Sequence, residues 1–270
     1  MGKILIVCGP TATGKTALAS QLAKKFDGEL ISADSRQVYR GMDVVTGKDR
    51  PDVPIWLYDV VNPDEEFSVS HWIKLARRAI NDISKRGKLP IIVGGTGLYI
   101  HALLHPLETI TIPPDRALRE QLQEQSVKEL QQMLTRGSMN NSDWNNPRRL
   151  IRKIEIARSK KIMQQDSDQY EPLIIGLTAP ISFIDKRIDS RLEERKKEGL
   201  DKEVAGLLAR YNRNLPSMSA IGLNEHAYAR RQMTWFKKMS SVHWFDISKS
   251  SWESDVTAKV SAWYTGDAHE

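Results

Sequence analysis

The stretch CGPTATGKTALA, Cys8 to Ala19, decides the fold. It follows the apolar run Ile4-Leu5-Ile6-Val7 and leads straight into a helical pattern. A strand, a loop of the form G-x-x-x-x-G-K-[ST] and a helix, in that order, make a phosphate-gripping loop. Backbone N–H groups of Thr11, Ala12 and Thr13, and those at the helix N-terminus, are expected to point at an anion. Gly9 and Gly14 permit the turn and the close approach of backbone to phosphate. Lys15 adds a charge that reaches the terminal phosphates, and the Thr16 hydroxyl can ligate Mg²⁺. Most loops of this kind hold ATP or GTP, so nucleotide binding is the first expectation.

Working outward, short apolar runs alternate with helical stretches. Strands are expected at 3–8, 29–33, 89–93 and 173–177, with a weaker, mixed one at 55–61. Continuous apolar runs of this length suit a sheet buried on both faces. Helices are expected at 16–25, 69–86 and 97–104, the second with Trp72, Leu75, Ala76, Ala79, Ile80 and Ile83 at helical spacing. The fold class is α/β: a P-loop NTPase-like, mainly parallel sheet flanked by helices. From His105 the character changes. Pro106, Pro113 and Pro114 interrupt the chain, and 115–136 is polar and helical with a thin apolar stripe. Residues 105–147 therefore read as a small helical insertion subdomain, with 1–104 and 148–270 forming the core. A helix is expected at 148–163 and a charged one at 181–208, broken near Gly199. From residue 220 onward there are aromatics but no clear period.

The 270 residues are 40% hydrophobic, enough for one domain and a small second one. A net charge of +6 and a pI of about 9.3 suit a polyanionic partner, nucleic acid first, or simply a solvated basic surface. Cys8 is the one cysteine, which excludes internal disulfides and a thiolate metal cluster. It reads as a buried strand residue. With no signal peptide and no apolar run long enough to span a bilayer, a soluble, cytoplasmic monomer is expected.

The strand at 89–93 ends in Gly94-Gly95-Thr96, without the carboxylate that switch and motor ATPases use for Mg²⁺. The acid instead follows the strand at 29–33, as Asp34. Carboxylates at the carboxyl end of a parallel strand lie in the ligand crevice. Asp34 is thus either a general base or metal partner, or a turn-forming residue. On these residues alone, a small-molecule or nucleotide kinase remains open.

Longer blocks narrow the choice. ELISADSRQVYRGMD (29–43), RGKLPIIVGGTGLYIHALL (86–104), NPRRLIRKIEIAR (146–158) and ARRQMTWF (229–236), with the phosphate loop, occur in one order across most of the chain. In these blocks the sequence resembles the tRNA dimethylallyltransferases, the P-loop class of tRNA isopentenyltransferases. The resemblance implies that the loop holds the pyrophosphate of dimethylallyl diphosphate rather than ATP. It also implies transfer of the dimethylallyl group to the exocyclic amine of the adenosine 3′ of a tRNA anticodon. Asp34 would accept the amine's proton. Lys15, the loop N–H groups and Mg²⁺ on Thr16 would stabilise the leaving pyrophosphate, and Thr96 would hydrogen-bond near its bridging oxygen. Ser35, Arg36, Gln37 and Tyr39 would read or stack on a flipped-out nucleotide. Arg148, Arg149, Arg152 and Lys153, with Arg158, Lys160 and Lys161, make a cationic helix. Arg230, Arg231, Lys237 and Lys238 flank Trp235 and Phe236, beside Gln232. Both clusters suit the RNA backbone of an anticodon stem-loop, and both suit plain solvated faces.

The sequence departs from the family pattern at Ser219 and His226, where arginine is usual, and at Ile55 and Trp56, where histidines are common. A helical segment that the family carries, on the order of twenty residues, is missing between Glu225 and the block that begins at Ala229. A non-catalytic RNA-binding relative is a third reading. Arg187 and Arg191, one turn apart, either supply charge to the pyrophosphate or form an ion-paired face with Asp185 and Glu194.

Overall fold

The apolar runs become the inner strands of one sheet. In this computed structural model, which describes residues 2–105, 112–137, 139–159 and 170–266, six strands pair in parallel throughout. They are β1 (Gly2–Cys8), β2 (Gly28–Ser32), β3 (Ile55–Trp56), β4 (Leu89–Gly94), β5 (Tyr170–Thr178) and β6 (Val242–Asp246), in the spatial order β3-β2-β4-β1-β5-β6. Ile4 through Cys8 are fully buried, as a strand covered on both faces requires.

The helices are α1 (Lys15–Lys25), α2 (Val69–Lys85), α3 (Gly97–Leu104), α4 (Arg116–Gln123), α5 (Val127–Gln132), α6 (Asn141–Trp144), α7 (Pro147–Arg158), α8 (Ile181–Lys197), α9 (Leu200–Arg210), α10 (Glu225–Phe236) and α11 (Trp252–Thr265). Leu18 and Leu22 of α1 and Val256 and Val260 of α11 join Leu5, Val7, Ile91 and Ile175 in one buried cluster. On α2, Trp72 donates its indole N–H to the Ser32 carbonyl at 2.8 Å and stacks on Tyr99 of α3, ring centroids 4.7 Å apart. No helix among the described residues is long and apolar enough to cross a membrane.

The strand order positions the site. After β2 and β3 the chain returns to place β4 between β2 and β1, and then β5 on the far side of β1. The carboxyl end of β1 is the point where the winding reverses, and ligands of such sheets bind there. Asp34 was expected to end the strand next to the phosphate loop. It follows β2, with β4 intervening, so Gly94-Gly95 is the loop's immediate neighbour. The expected strand at 55–61 shrinks to two residues because Leu57 and Asp59 have positive φ (69° and 55°), which extended pairing does not allow.

Two compact units result: Met1–Leu104 with Asp168–Glu270, and His105–Ser167. The sequence boundary at 147/148 is displaced because Leu150, Ile151 and Ile154 of α7 cluster with Leu122 of α4 and Leu130 of α5, not with the sheet. The single helix expected at 115–136 is split where Ser126 forms a capping box with Glu129. In this unit the buried Glu155 accepts from Arg119 (2.7 and 2.9 Å), Arg152 (3.2 Å) and the Asp115 N–H (2.9 Å). Burial alone would push its carboxyl up, but these donors hold it below the usual range. The expected reach of α7 to residue 163, with Lys160 and Lys161, lies outside the described residues.

Candidate active site

The phosphate loop has the backbone its sequence demands. Gly9 has φ 140°, and a Cβ there would lie 2.4 Å from the Leu177 carbonyl oxygen of β5, so only glycine fits. Gly14 (φ 82°) and Ala12 (φ 62°) are left-handed; for alanine that is the kind of strain found at ligand clamps. The Thr13 hydroxyl donates to Pro10 O at 2.9 Å and closes the turn. Lys15 Nζ donates to the same carbonyl at 2.6 Å. Its pKa is lowered to about 8, by burial first and by Arg191 second, against the pull of Asp34 and Asp49. Behind the loop the Cys8 thiol is buried and pushed up to about 12.

The loop opens onto a cleft of about 760 Å³, wholly within the larger unit. Thr11, Ala12, Gly14, Lys15 and Thr16 line it, facing Asp34, Arg36 and Gln37 from the β2 end and Arg187, Arg191 and Arg195 from α8. Arg187 Nε donates to Ala12 O at 2.7 Å, and Arg191 to Gly47 O at 2.8 Å with Asp49 at 3.4 Å. The acid expected to pair with them, Asp185, turns instead to His226 and Arg230, while Arg191 forms an ion pair with Asp49. Arg195 is buried, pairs with Glu225, and keeps an Nε without a partner. Sequence reasoning passed it over, although residues 187, 191 and 195 fall at four-residue spacing on one helical face.

On the opposite side, Asp34 Oδ1 accepts the Arg36 N–H at 2.9 Å, a turn contact that leaves the carboxylate at the cleft wall. Thr96 does not line the cleft; its hydroxyl accepts the Ser35 N–H at 3.0 Å and lies 3.3 Å from the Ser35 hydroxyl. Gln37 donates to Gly47 O at 3.3 Å and accepts from Ser32. Tyr39 is buried with Val38, Met42, Leu207 and Met218, which leaves no ring face for a base. The aromatic side chain at this wall of the cleft that sequence missed is Tyr228. It lines the cleft under the guanidinium groups of Arg36 (5.2 Å) and Arg231 (5.7 Å), its hydroxyl pushed up by burial first and by Asp34 second. Gln232, expected at the RNA, is buried: its amide accepts the Thr11 N–H at 2.8 Å and donates to Gly95 O at 3.0 Å, tying the phosphate loop to β4.

The departures from the family pattern acquire local roles. His226 bonds Asp185 (2.7 Å) and Asp189 (3.0 Å), and with Arg230–Asp185 (3.0 Å) and Arg195–Glu225 it seams α10 to α8. The Ser219 carbonyl accepts from Arg36 at 3.1 Å. The Trp56 indole donates to Glu29 at 2.9 Å. In the smaller unit, Arg149 pairs with Asp143, Arg152 with Glu155 and with Ile112 O, while Arg148 is exposed and has no ion pair among the described residues.

A parallel sheet wound about a phosphate loop, with three arginines of one helix lining the same cleft, defines a P-loop fold whose cleft suits an anionic ligand. Residues 37–227 match the family model described as IPP transferase and residues 2–53 that described as Isopentenyl transferase. The chain is 40% identical over 286 residues to a tRNA dimethylallyltransferase of Geobacillus thermodenitrificans, covering 91% of each chain. It is 38% identical to one of Roseiflexus, covering 96% and 98%. The crystal structure of a tRNA isopentenylpyrophosphate transferase of Bacillus halodurans superposes with a TM-score of 0.73 at 33% identity, over 98% and 96% of the two chains. The chain belongs to the IPP transferase family.

Proposed function

We infer that this protein transfers the dimethylallyl group of dimethylallyl diphosphate to N6 of the adenosine 3′ of a tRNA anticodon. The observation that carries the reading is a single cleft lined both by the phosphate loop with its arginines and by the Asp34 carboxylate. The amine nitrogen attacks the allylic carbon as the C–O bond breaks, and the diphosphate leaves with the bonding pair. Lys15, Arg187 and Arg191 meet the charge that develops on its oxygens. The nitrogen's proton passes to Asp34. Tyr228 and Arg36 flank the acceptor, and the exposed cations of α7 and α10 supply backbone contacts to RNA.

Among the described residues no group of three His, Cys, Asp or Glu forms a metal cluster. The Thr16 hydroxyl, which lines the cleft beside Lys15, would hold Mg²⁺, and the ion would supply neutralisation of leaving-group charge. This use of Thr16, like action in the cytoplasm, belongs to the proposal. Family membership and the missing carboxylate after β4 both weigh against the kinase reading. The test is mass spectrometry of nucleosides from unmodified tRNA incubated with protein, dimethylallyl diphosphate and Mg²⁺. Dimethylallyl-adenosine is expected; its absence, with phosphorylated product from ATP in its place, would reverse the assignment.

A further inference from the structure

Just after β3 the chain makes a hook. Leu57 (φ 69°) and Asp59 (φ 55°) are both left-handed, a conformation that residues with side chains of this size keep only where their surroundings fix it. Here the surroundings do. The Asp59 carboxylate pairs at 2.6 Å with Lys48, whose buried side chain also bonds Tyr39 O at 2.7 Å and Asp43 at 2.8 Å. The Asp59 N–H donates to Gln37 O at 3.3 Å and the Val60 N–H to Val38 O at 2.8 Å. Tyr58 lies between the two left-handed residues. An extended chain would have put it on the side of Trp56, whose indole bonds Glu29. With that alternation broken, Tyr58 lines the cleft together with the phosphate loop and Asp34.

Its hydroxyl is uncommitted. The indole N–H groups of Trp56 and Trp72 have protein partners at 2.9 and 2.8 Å, as the polar tip of a packed aromatic requires. The Tyr58 hydroxyl has no hydrogen-bond partner among the described residues. Burial first, then Asp49 and Asp34, push its pKa up, with Asp59 adding and Arg191 opposing, so it remains a donor at neutral pH. Arg191, Asp34 and Asp49 act on Lys15 as well, so the hydroxyl shares its electrostatic neighbours with the loop's lysine.

We propose that the Tyr58 hydroxyl donates a hydrogen bond to the diphosphate oxygens of the prenyl donor, a bond that strengthens as the allylic C–O bond breaks. The inference rests on the transfer reading above. The bonding pair moves onto oxygen, so the departing diphosphate carries more negative charge than the bound ester. No proton changes hands: the hydroxyl keeps its hydrogen. A neutral donor supplements Lys15, Arg187 and Arg191 without a further cation near Asp34, and a further cation there would weaken Asp34 as a base.

The test compares wild type with Tyr58→Phe, which keeps the ring and removes only the donor. Single-turnover transfer to unmodified tRNA is expected to fall about tenfold to 150-fold, with dimethylallyl diphosphate bound as tightly as by wild type and the unfolding temperature unchanged. Inorganic pyrophosphate carries the charge of the departed group, so it should bind more weakly to the variant while the donor does not. A change in packing alone would move the two affinities together. A wild-type transfer rate, or an unaltered pyrophosphate affinity, in Tyr58→Phe would overturn the role of Tyr58 and leave the transfer reading standing. If wild-type protein forms no dimethylallyl-adenosine while Tyr58→Phe still loses pyrophosphate affinity, the transfer reading falls and the hydroxyl stands as a diphosphate ligand.

Discussion

Arg187 and Arg191 of α8 and Arg149 and Arg152 of α7 sit in equally basic stretches, and the fold uses them in opposite ways. The α7 pair meets carboxylates, Asp143 and Glu155. Of the α8 pair, Arg187 meets the backbone carbonyl of Ala12, and Arg191 meets that of Gly47 and pairs with the half-exposed Asp49 at 3.4 Å. Lys15 does the same with Pro10 O. A cation resting on a neutral carbonyl is held in place but keeps its charge for an incoming anion. A cation on a carboxylate is already neutralised, and its contribution is to the fold. The acid a cation faces, more than the density of cations, distinguishes a binding helix from a structural one.

The largest effect should come from neither helix. Asp34→Ala is expected to lower the single-turnover rate about a hundred- to ten-thousand-fold with donor and tRNA affinity nearly unchanged. A variant retaining more than about a tenth of the wild-type rate would remove Asp34 from the chemistry. Next in size, Arg187→Ala should cost about 1.5–3 kcal/mol of charge-assisted bonding, read as a ten- to 150-fold loss in donor kcat/KM. Arg149→Ala should leave donor kinetics alone and change tRNA affinity by less than about fivefold, as for an exposed pair. Equal losses in the two variants would erase the contrast. Between Arg148 and Arg149 a finer difference is expected. Arg148, having no carboxylate, should lower the salt slope of tRNA binding by about 0.7–0.9 when changed to Ala, and Arg149 by less.

The smallest expected effect concerns the seam of α8 and α10. Asp185 first, and then Asp189, raise the His226 pKa above its ordinary 6.5, with Arg230 sharing Asp185. A raised folded pKa contributes stability that is complete below 6.5 and lost as pH rises through the folded value. The unfolding temperature of wild type should therefore exceed that of His226→Gln at pH near 6, and the two should converge in mildly alkaline buffer. A gap that widens with pH would mean that the neutral imidazole is what the seam holds.

Much of this was legible in sequence because it depends on local pattern. The phosphate loop, the buried strands and Asp34 at a strand end need only neighbours within a few residues. What escaped depends on which distant element covers a side chain. Tyr39 looked available for stacking until Leu207 and Met218 closed over it. Gln232 looked like an RNA reader until its amide met Thr11 and Gly95. Arg195 was within reach, since its spacing repeats that of Arg187 and Arg191. Tyr228 was not, because nothing near it in sequence reveals that α10 packs along α8. The boundary of the smaller unit failed for a related reason: the apolar face of α7 is equally suited to a sheet or to other helices, and only the partner decides.

Cys8 has a consequence for handling the molecule. It is the chain's one thiol, it is buried in β1, and that burial pushes its pKa up and keeps it protonated at neutral pH. Maleimides and air oxidation act on accessible thiolate, so the native protein should be silent to both. A cysteine introduced on an exposed face becomes its sole reactive handle, and a fluorophore can be attached there without first removing a native residue.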